Sequence, residues 1–547
     1  MDNSLLCHSA LDAESRIYLN LDKLDSPIKS GNDRKIELFN GLYLMLKRFL
    51  KKILPKKLIN FYHFCLAHFA ARFYDYPARK MIVIGVTGTK GKSSVCYLIA
   101  KILEEAGERV GMTSTIFFKI GAREWLNDKK MTMLGRFGLQ KMLWKMHRAG
   151  CAYAIVETSS EGIAQFRNVG IDYDVAVFTN LTPEHIESHG SFEAYAAAKE
   201  KLFKNLKIYN LSKKIRGEII PKIFIVNSGD RHADKFLSYP ADRKFCFKIE
   251  AALTPHFDSR SESTPSDPAP EPSARYGAGA TSPTPSLPLE KKGGKEGKGG
   301  GYCDEEYLAE NVELGRNYSF FVVKIGESEE SVKLNLIGEV NVLNALAAIS
   351  CGLALGIPFR FIKTALEKIK IIPGRFEVVV KEPFTLIVDY AHEPASFREL
   401  YKTANPIRNR DSNGASLLPK NRIIHVFGAT GGGRDGQKAP EMGRIAAANA
   451  DIIILTTDDP YFDNPQILSQ NILNGILDYT KENPERRNIK VLQVIDRKEA
   501  IRVAIETAKP GDLVLLTGKG SEQAMVVGEK LIHWDDREVV RQILNSK

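Results

Sequence analysis

The chain has 547 residues, 44% of them hydrophobic and 26% charged, which is enough length and apolar content for two or three domains with separate cores. Its formal net charge is +11. The excess is local, because residues 41–80 hold Lys47, Arg48, Lys51, Lys52, Lys56, Lys57, Arg72, Arg79 and Lys80 against Asp75 alone, and a chain-wide nucleic-acid-binding surface is not supported.

Cys7, Cys65, Cys96, Cys151, Cys246, Cys303 and Cys351 form no C-x-x-C pair and read as reduced thiols of a cytosolic protein, with no zinc site. The opening MDNSLLCHSALDAES has neither a basic start nor a sustained apolar run, so no secretory signal is expected. Residues 41–74 are apolar but broken by charge every few residues, too broken for a span of about 20 apolar residues. Leu42, Met45, Leu46, Phe49, Leu50 and Ile53 recur at helical spacing up to Pro55, and a second helical pattern runs from Leu58 to Phe73. Two readings are open for this basic segment, 1–79: a helical pair docked on the next domain, or an amphipathic element lying on an anionic membrane surface. The expectation is a cytoplasmic protein, with membrane-peripheral contact through 41–74 as the alternative to docking.

After residue 80, β-rich runs alternate with helical stretches: MIVIGV, then 93–106, RVGMTST, then 137–149, CAYAIVE, YDVAVFTN and KIFIVN. This alternation predicts an α/β fold with a parallel sheet covered by helices on both faces. Residues 251–301, rich in Ser, Pro, Gly, Thr and Ala, lack the apolar residues needed to offset ordering entropy and read as a disordered insertion. Strand-like text resumes at YSFFVVKI, and a helix is predicted over 341–355. A second α/β set follows Gly374: FTLIVDYA, RIIHVFGA, ADIIILTT and DLVLLTG. The predicted division is a central P-loop domain over 80–372 and a Rossmann-like C-terminal domain over 373–547.

The stretch GVTGTKGKSS, Gly85 to Ser94, stands between a strand and a helix, where backbone N–H groups can cradle phosphates. Gly88, Thr89, Gly91, Lys92, Ser93 and Ser94 are the candidate contacts, with Lys92 on the β and γ phosphates and the Ser93 hydroxyl on Mg²⁺. The spacing departs from the usual P-loop, which places glycine where Val86 stands. A tight turn beside a surface lysine is the bland alternative. Glu157 ends CAYAIVE, at the strand end where such sheets hold their ligands, His185 follows YDVAVFTN, and Lys199 falls on a helix.

In order and spacing, GVTGTKGKSS, IVETSSEG, VFTNLTPEHIESHGSFEAYAAAK, GEVNVLNALAA, PGRFE, VDYAHEP, FGATGGGRDGQK and GKGSE resemble the Mur ligases, ATP-dependent enzymes that add amino acids to peptidoglycan precursors. The third-residue-adding branch, acting on UDP-N-acetylmuramoyl peptides, is the nearest likeness. The resemblance spans about 80–547 and implies carboxylate phosphorylation by ATP, then attack of an amine on the acyl phosphate. It implies metal ligation by Ser93, Glu157 and His185, with Lys199 as a carbamate. It assigns Asn341, Asn344, Arg375, Asp389 and His392 to the nucleotide side, and Arg434 and Asp435 to the reaction centre. Thr132, Ser160 and Arg167 match sugar-peptide contacts; Asp459, Tyr461, Gly518 and Glu522 match the acceptor side. A monomer acting on small molecules is expected.

Several positions depart from the family pattern. Met133 stands where a second threonine is usual, Glu161 and Ser521 stand where histidines are usual, and DDPY places Tyr461 where the diaminopimelate-binding arginine belongs. Tyrosine cannot neutralise a carboxylate, so lysine or another diamine becomes as good an acceptor. Only about 80 mostly helical, basic residues stand where the family has its uridine-gripping domain, which opens the alternatives of folate or lipid-linked muramoyl donors. A non-catalytic nucleotide switch is the reading from another class.

Overall fold

The computed structural model describes residues 56–183, 189–208, 213–215, 217–250, 303–315, 317–408, 421–433, 436 and 438–546. The segments 1–55 and 251–302, and with them the first basic helix pattern and the predicted insertion, lie outside the described residues.

Helix α1 (Lys56–Phe73) precedes β1 (Ile82–Thr87), α2 (Lys92–Glu105), β2 (Val110–Thr113), β3 (Phe117–Ile120), β4 (Arg123–Leu126), α3 (Arg136–Arg148), β5 (Tyr153–Glu157), α4 (Ser160–Ala164), β6 (Val175–Phe178) and α5 (Phe192–Ile208). The small hairpin β7 (Lys213–Ile215) and β8 (Glu218–Ile220) leads to β9 (Ile223–Asn227), α6 (Ala233–Leu237), β10 (Arg243–Ile249), β11 (Glu305–Leu314), β12 (Ser319–Ile325), β13 (Ser328–Leu334), α7 (Glu339–Ala354) and α8 (Phe359–Lys368). An eleven-stranded sheet runs β13-β12-β11-β10-β9-β6-β1-β5-β2-β3-β4. From β11 to β2 its strands are parallel, and an antiparallel hairpin flanks each end.

β1 shows why a parallel sheet forms. Its residues are buried on both faces, as a near-continuous apolar run requires. Ile82, Ile84 and Val86 join α2, α7 and α8 in one core, whereas Met81 and Val83 face the core built by α3 and α5 on the other side. α1 docks outside α3 through Ala67, Ala70 and Ala71, all buried, while Leu58, Phe61, Tyr62, Phe69 and Phe73 stay exposed. No helix among the described residues is long and apolar enough to cross a membrane.

The second sheet is built from β14 (Glu377–Val380), β15 (Thr385–Asp389), β16 (Ile423–Ala429), β17 (Ile452–Thr457), β18 (Lys490–Gln493) and β19 (Leu513–Thr517), ordered β14-β15-β19-β16-β17-β18. α9 (Pro394–Arg408), α10 (Lys438–Asn449) and α11 (Pro465–Glu482) cover one face; α12 (Arg497–Thr507) and α13 (Asp536–Asn545) cover the other. A last hairpin pairs β20 (Ala524–Val527) with β21 (Lys530–His533). Ile369 and Ile372 still belong to the first sheet's core, and Phe384 and Leu386 to the second's.

The thiols are not all reduced. Cys246 on β10 and Cys303 just before β11 form a disulfide across a sequence separation of 57 residues, with Cα atoms 5.9 Å apart. Parallel pairing of β10 with β11 brings the two cysteines together, a contact that spacing could not reveal. Cys65, Cys96, Cys151 and Cys351 are free.

Candidate functional site

The turn between β1 and α2 needs its glycines. Gly88 (φ +147°) and Gly91 (φ +80°) adopt backbone conformations that side chains disfavour, and a Cβ would lie 2.0 Å from Thr179 Oγ1 and 2.3 Å from Asn344 Oδ1, respectively. The loop after β6 stitches the turn in place: Thr89 N donates to Asn180 O (2.8 Å), Lys90 N to Asn180 Oδ1 (2.8 Å), and Thr179 Oγ1 to Lys90 O (2.6 Å). Thr89 Oγ1 lies 3.0 Å from Tyr195 OH and accepts from Thr182 N. No side chain caps α2, so its first-turn N–H groups face the concavity of the turn.

Lysines approach this turn from two directions. Lys92 Nζ donates to Thr89 O (2.8 Å). Lys199, which could have been a solvated helix lysine, is buried; its Nζ donates to Gly88 O (2.5 Å) and stands 4.4 Å from the centre of the Tyr195 ring. On α7, Asn344 Nδ2 donates to Asn341 Oδ1 (3.3 Å), and Asn341 Nδ2 to Ile337 O (2.8 Å). The Asn344 amide is thereby held against Gly91.

From the segment leading into the second sheet, Arg375 reaches across to Ser93 Oγ (3.4 Å) and lies 4.3 Å over the Tyr390 ring. Its Nε is buried and has no hydrogen-bond partner among the described residues. Asp389 sets this segment: its carboxylate accepts from Phe376 N and Ala391 N, each at 2.7 Å. His392 Nδ1 pairs with Tyr390 O at 2.7 Å.

Glu157 is buried at the end of β5 and accepts from Thr115 N (2.7 Å) and Thr115 Oγ1 (3.0 Å). Thr115 Oγ1 also reaches Thr132 Oγ1 (3.0 Å), so Thr132 joins the same chain. Ser160 Oγ lies 3.1 Å from His189 Nε2, and burial holds the His189 imidazole below its ordinary pKa. Arg167 is turned inward onto Met133 O (2.5 Å) and Gln165 Oε1, where it braces the loop holding Thr132. Ser94 is buried in the first turn of α2. His185, Arg434 and Asp435 lie outside the described residues.

A second cluster sits at the ends of β17 and β19. Lys519 is buried and donates to Asp459 Oδ1 (2.8 Å) and Glu522 Oε2 (2.8 Å), with Asp458 at 3.5 Å. Gly518 (φ +107°) lets the backbone pass Asp458, whose Oδ2 a Cβ would meet at 2.6 Å. Burial raises the Asp458 carboxyl to about 6 against the pull of Lys519. Burial would raise Asp459 and Glu522 as well, but Lys519 and Lys130 hold both below the usual carboxylate range. Tyr461 has a positive φ of 52° and binds the last hairpin through its backbone, Tyr461 N to Val526 O (3.3 Å) and Gly528 N to Tyr461 O (2.6 Å).

The glycine cradle, the uncapped helix start and the unpartnered Arg375 Nε fit a nucleotide's phosphates. Ser93 and Glu157 are hard oxygen donors, and Mg²⁺ bound to phosphates needs only one or two of these from protein. Among the described residues no group of three or more His, Cys, Asp or Glu could hold a metal on its own. Sequence reasoning missed Thr115, Asn180, Tyr390, Asp458, Lys519 and Lys130. Lys519 and Asp458 were visible inside GKGSE and DDPY, whereas Thr115 and Asn180 act only through the fold.

Residues 86–253 match the Mur ligase middle domain, and residues 374–520 the Mur ligase glutamate ligase domain. The chain is 32% identical over 483 residues to a UDP-N-acetylmuramyl-tripeptide synthetase of Roseiflexus sp., covering 88% of this chain and 81% of that protein. It is 31% identical over 481 residues to a UDP-N-acetylmuramoyl-L-alanyl-D-glutamate–2,6-diaminopimelate ligase of Caldanaerobacter subterraneus, with coverage of 88% and 81%. Among solved structures, MurF from Acinetobacter baumannii shares the fold at a TM-score of 0.53 and 18% identity, covering 89% of this chain and 81% of that one. FolC of E. coli in complex with DHPP and ADP shares it at 0.52 and 16% identity, covering 87% and 91%.

Proposed function

Since this chain belongs to the Mur ligase family, we propose that it is an ATP-dependent, ADP-forming amide ligase that adds an amino acid to a UDP-N-acetylmuramoyl peptide. The observation that carries this reading is the meeting, at one glycine turn, of Lys92, Lys199 and Asn344 from the first sheet's domain with Arg375 from the segment leading into the second. The division of labour follows: residues 80–372 hold the triphosphate, and residues 373–547 bring the acceptor.

Each step has a residue-level cause. Lys92, Arg375 and the N–H groups of α2 stabilise charge on the γ-phosphoryl group as an oxygen of the donor carboxylate bonds to phosphorus and the bond to the β-phosphate oxygen breaks. Mg²⁺ supplies further charge neutralisation there when bound. Ser93 and Glu157 would hold it, with His185 and a carbamylated Lys199 completing the expected set. The buried Lys199 lies against Gly88 O, so carbamylation would convert a cation beside the turn into an acid. Arg434 and Asp435 are assigned to closure over the acyl phosphate, and Asp389 and His392 to the wall facing the nucleotide. The acceptor nitrogen then attacks the acyl carbon, phosphate leaves, and a proton is lost from nitrogen. Asp459, Tyr461, Gly518 and Glu522 present that acceptor; Thr132, Ser160 and the loop braced by Arg167 present the donor.

Residues 41–74 make peripheral contact with an anionic membrane surface. The exposed Phe61, Tyr62, Phe69 and Phe73 on α1 support this contact, alongside the local run of lysines and arginines.

Hydroxylamine trapping tests the activated carboxyl. With ATP, Mg²⁺ and UDP-N-acetylmuramoyl dipeptide but no amino acid, the enzyme should form a hydroxamate; ADP without hydroxamate would contradict an acyl phosphate.

A further inference from the structure

One contact between the two halves is made by a residue that the ligase reading leaves without a role. Lys130, in the loop between β4 and α3, bridges two carboxylates of the second half: its Nζ pairs with Asp459 Oδ2 and lies 3.0 Å from Glu522 Oε2. The contact is built rather than incidental. Asn127, itself buried, pins the loop by donating to Ser114 O (2.8 Å) and Met131 O (2.9 Å) and by accepting from Lys129 N (2.8 Å). Lys130 takes a left-handed backbone (φ 50°), unfavourable for lysine, and its side chain is only 10% exposed.

Among the described residues the cluster it enters has three carboxylates, Asp458, Asp459 and Glu522, and one ammonium, Lys519, while the buried Arg497 is paired with Asp536 behind it. Without Lys130 the pocket has more acid than base, and a second ammonium is what its chemistry requires. At the position of the family's carboxylate-binding arginine stands Tyr461, whose phenol does not neutralise a second carboxylate.

We propose that Lys130 stands in the place of the acceptor's side-chain ammonium, so that the acceptor that displaces it from Asp459 and Glu522 is an amino acid ending in an ammonium group with no carboxylate beside it. This inference rests on the ligase reading for the existence of an acceptor. Lys130 is then an internal competitor: an entering basic amino acid takes its ion pairs and releases the loop. An acceptor such as lysine or ornithine replaces the contact, whereas norleucine, of lysine's shape without the charge, cannot.

Calorimetric binding of L-lysine and L-norleucine to the full chain, in wild type, Lys130→Met and Glu522→Gln, tests the competition directly. Lys130→Met should bind L-lysine at least five-fold more tightly than wild type, with norleucine unchanged. Glu522→Gln should weaken L-lysine at least ten-fold and leave norleucine unaffected, a readout that stands even if Lys130→Met fails to fold. Equal or weaker L-lysine binding in a folded Lys130→Met, an equal response to norleucine, insensitivity to Glu522→Gln, or no L-lysine binding to any of the proteins would overturn the inference. If L-lysine binds as expected but no ADP or amide forms, the ligase reading fails while the ammonium site stands. If ADP forms only with diaminopimelate, the ligase reading stands and the selectivity falls.

Discussion

Lys92 is half-buried, and its Nζ donates to Thr89 O within its own turn, a charge-assisted bond local to the loop. Its charge has another use if the turn holds a triphosphate. Replacing it with methionine is expected to lower ADP formation by roughly 100-fold or more, the usual size of one lost transition-state donor, while thermal unfolding stays within about 2 °C of wild type. A parallel drop in melting temperature would make Lys92 structural. The turn itself was legible in the sequence, because glycines between a strand and a helix carry both a conformational and a chemical meaning. The partners of its side chains were not. Lys199 could have been a solvated surface charge until the helix packing buried it against Gly88, and Arg167 points inward to brace a loop, a direction no motif encodes.

The strands make the same point about elements. β1, β5, β6, β16, β17 and β19 were readable because burial on both faces demands apolar runs. The β3–β4 hairpin and β20–β21 were missed: at four residues each, with half-buried or exposed strands among them, they carry no strong period. The β16–β19 pair has a titratable centre. His425 on β16 is wholly buried, 2.6 Å from Tyr401 OH on α9 and 2.9 Å from Thr517 Oγ1 on β19, and burial depresses its pKa to about 3. An unfolded histidine binds its proton near 6.5, so folding stability is complete above that value and falls as pH drops towards 3. The melting temperature should decline across this window, and His425→Gln should flatten the decline; an unchanged slope would place the acid sensitivity elsewhere. The β10–β11 pair carries the disulfide. Among Cys65, Cys96, Cys151, Cys246, Cys303 and Cys351, denatured, unreduced protein should therefore show four reactive thiols, and all six after reduction; six in both states would remove the bond.

For the whole molecule, two α/β halves meet where the glycine turn faces Arg375 and where Lys130 faces Asp459. Fold class and order of motifs could be read from the chain because both halves repeat the strand–helix alternation. The bridging residues could not, since Lys130 and Asp459 are 329 positions apart and neither belongs to a periodic pattern. α1 shows a similar division: Ala67, Ala70 and Ala71 are buried and Phe69 and Phe73 meet Phe137 of α3 at 5.9 and 6.3 Å, while Leu58 and Phe61 remain outward. The 547-residue chain should co-sediment with vesicles containing anionic phospholipid and not with neutral ones, less so at high salt, and Leu58→Ser with Phe61→Ser, both exposed, should reduce that binding without changing the melting temperature. Equal partition onto both vesicle types would remove the charge-dependent contact.

The central claim is that phosphoryl transfer at the glycine turn serves amide synthesis. ADP release should be measured with UDP-N-acetylmuramoyl dipeptide, Mg²⁺ and ATP, adding lysine, ornithine and diaminopimelate in turn. ADP formation that requires both the donor and one of these acceptors, in amounts equal to the amide formed, is the predicted result. ADP released at the same rate with neither present would contradict it and leave a nucleotide switch.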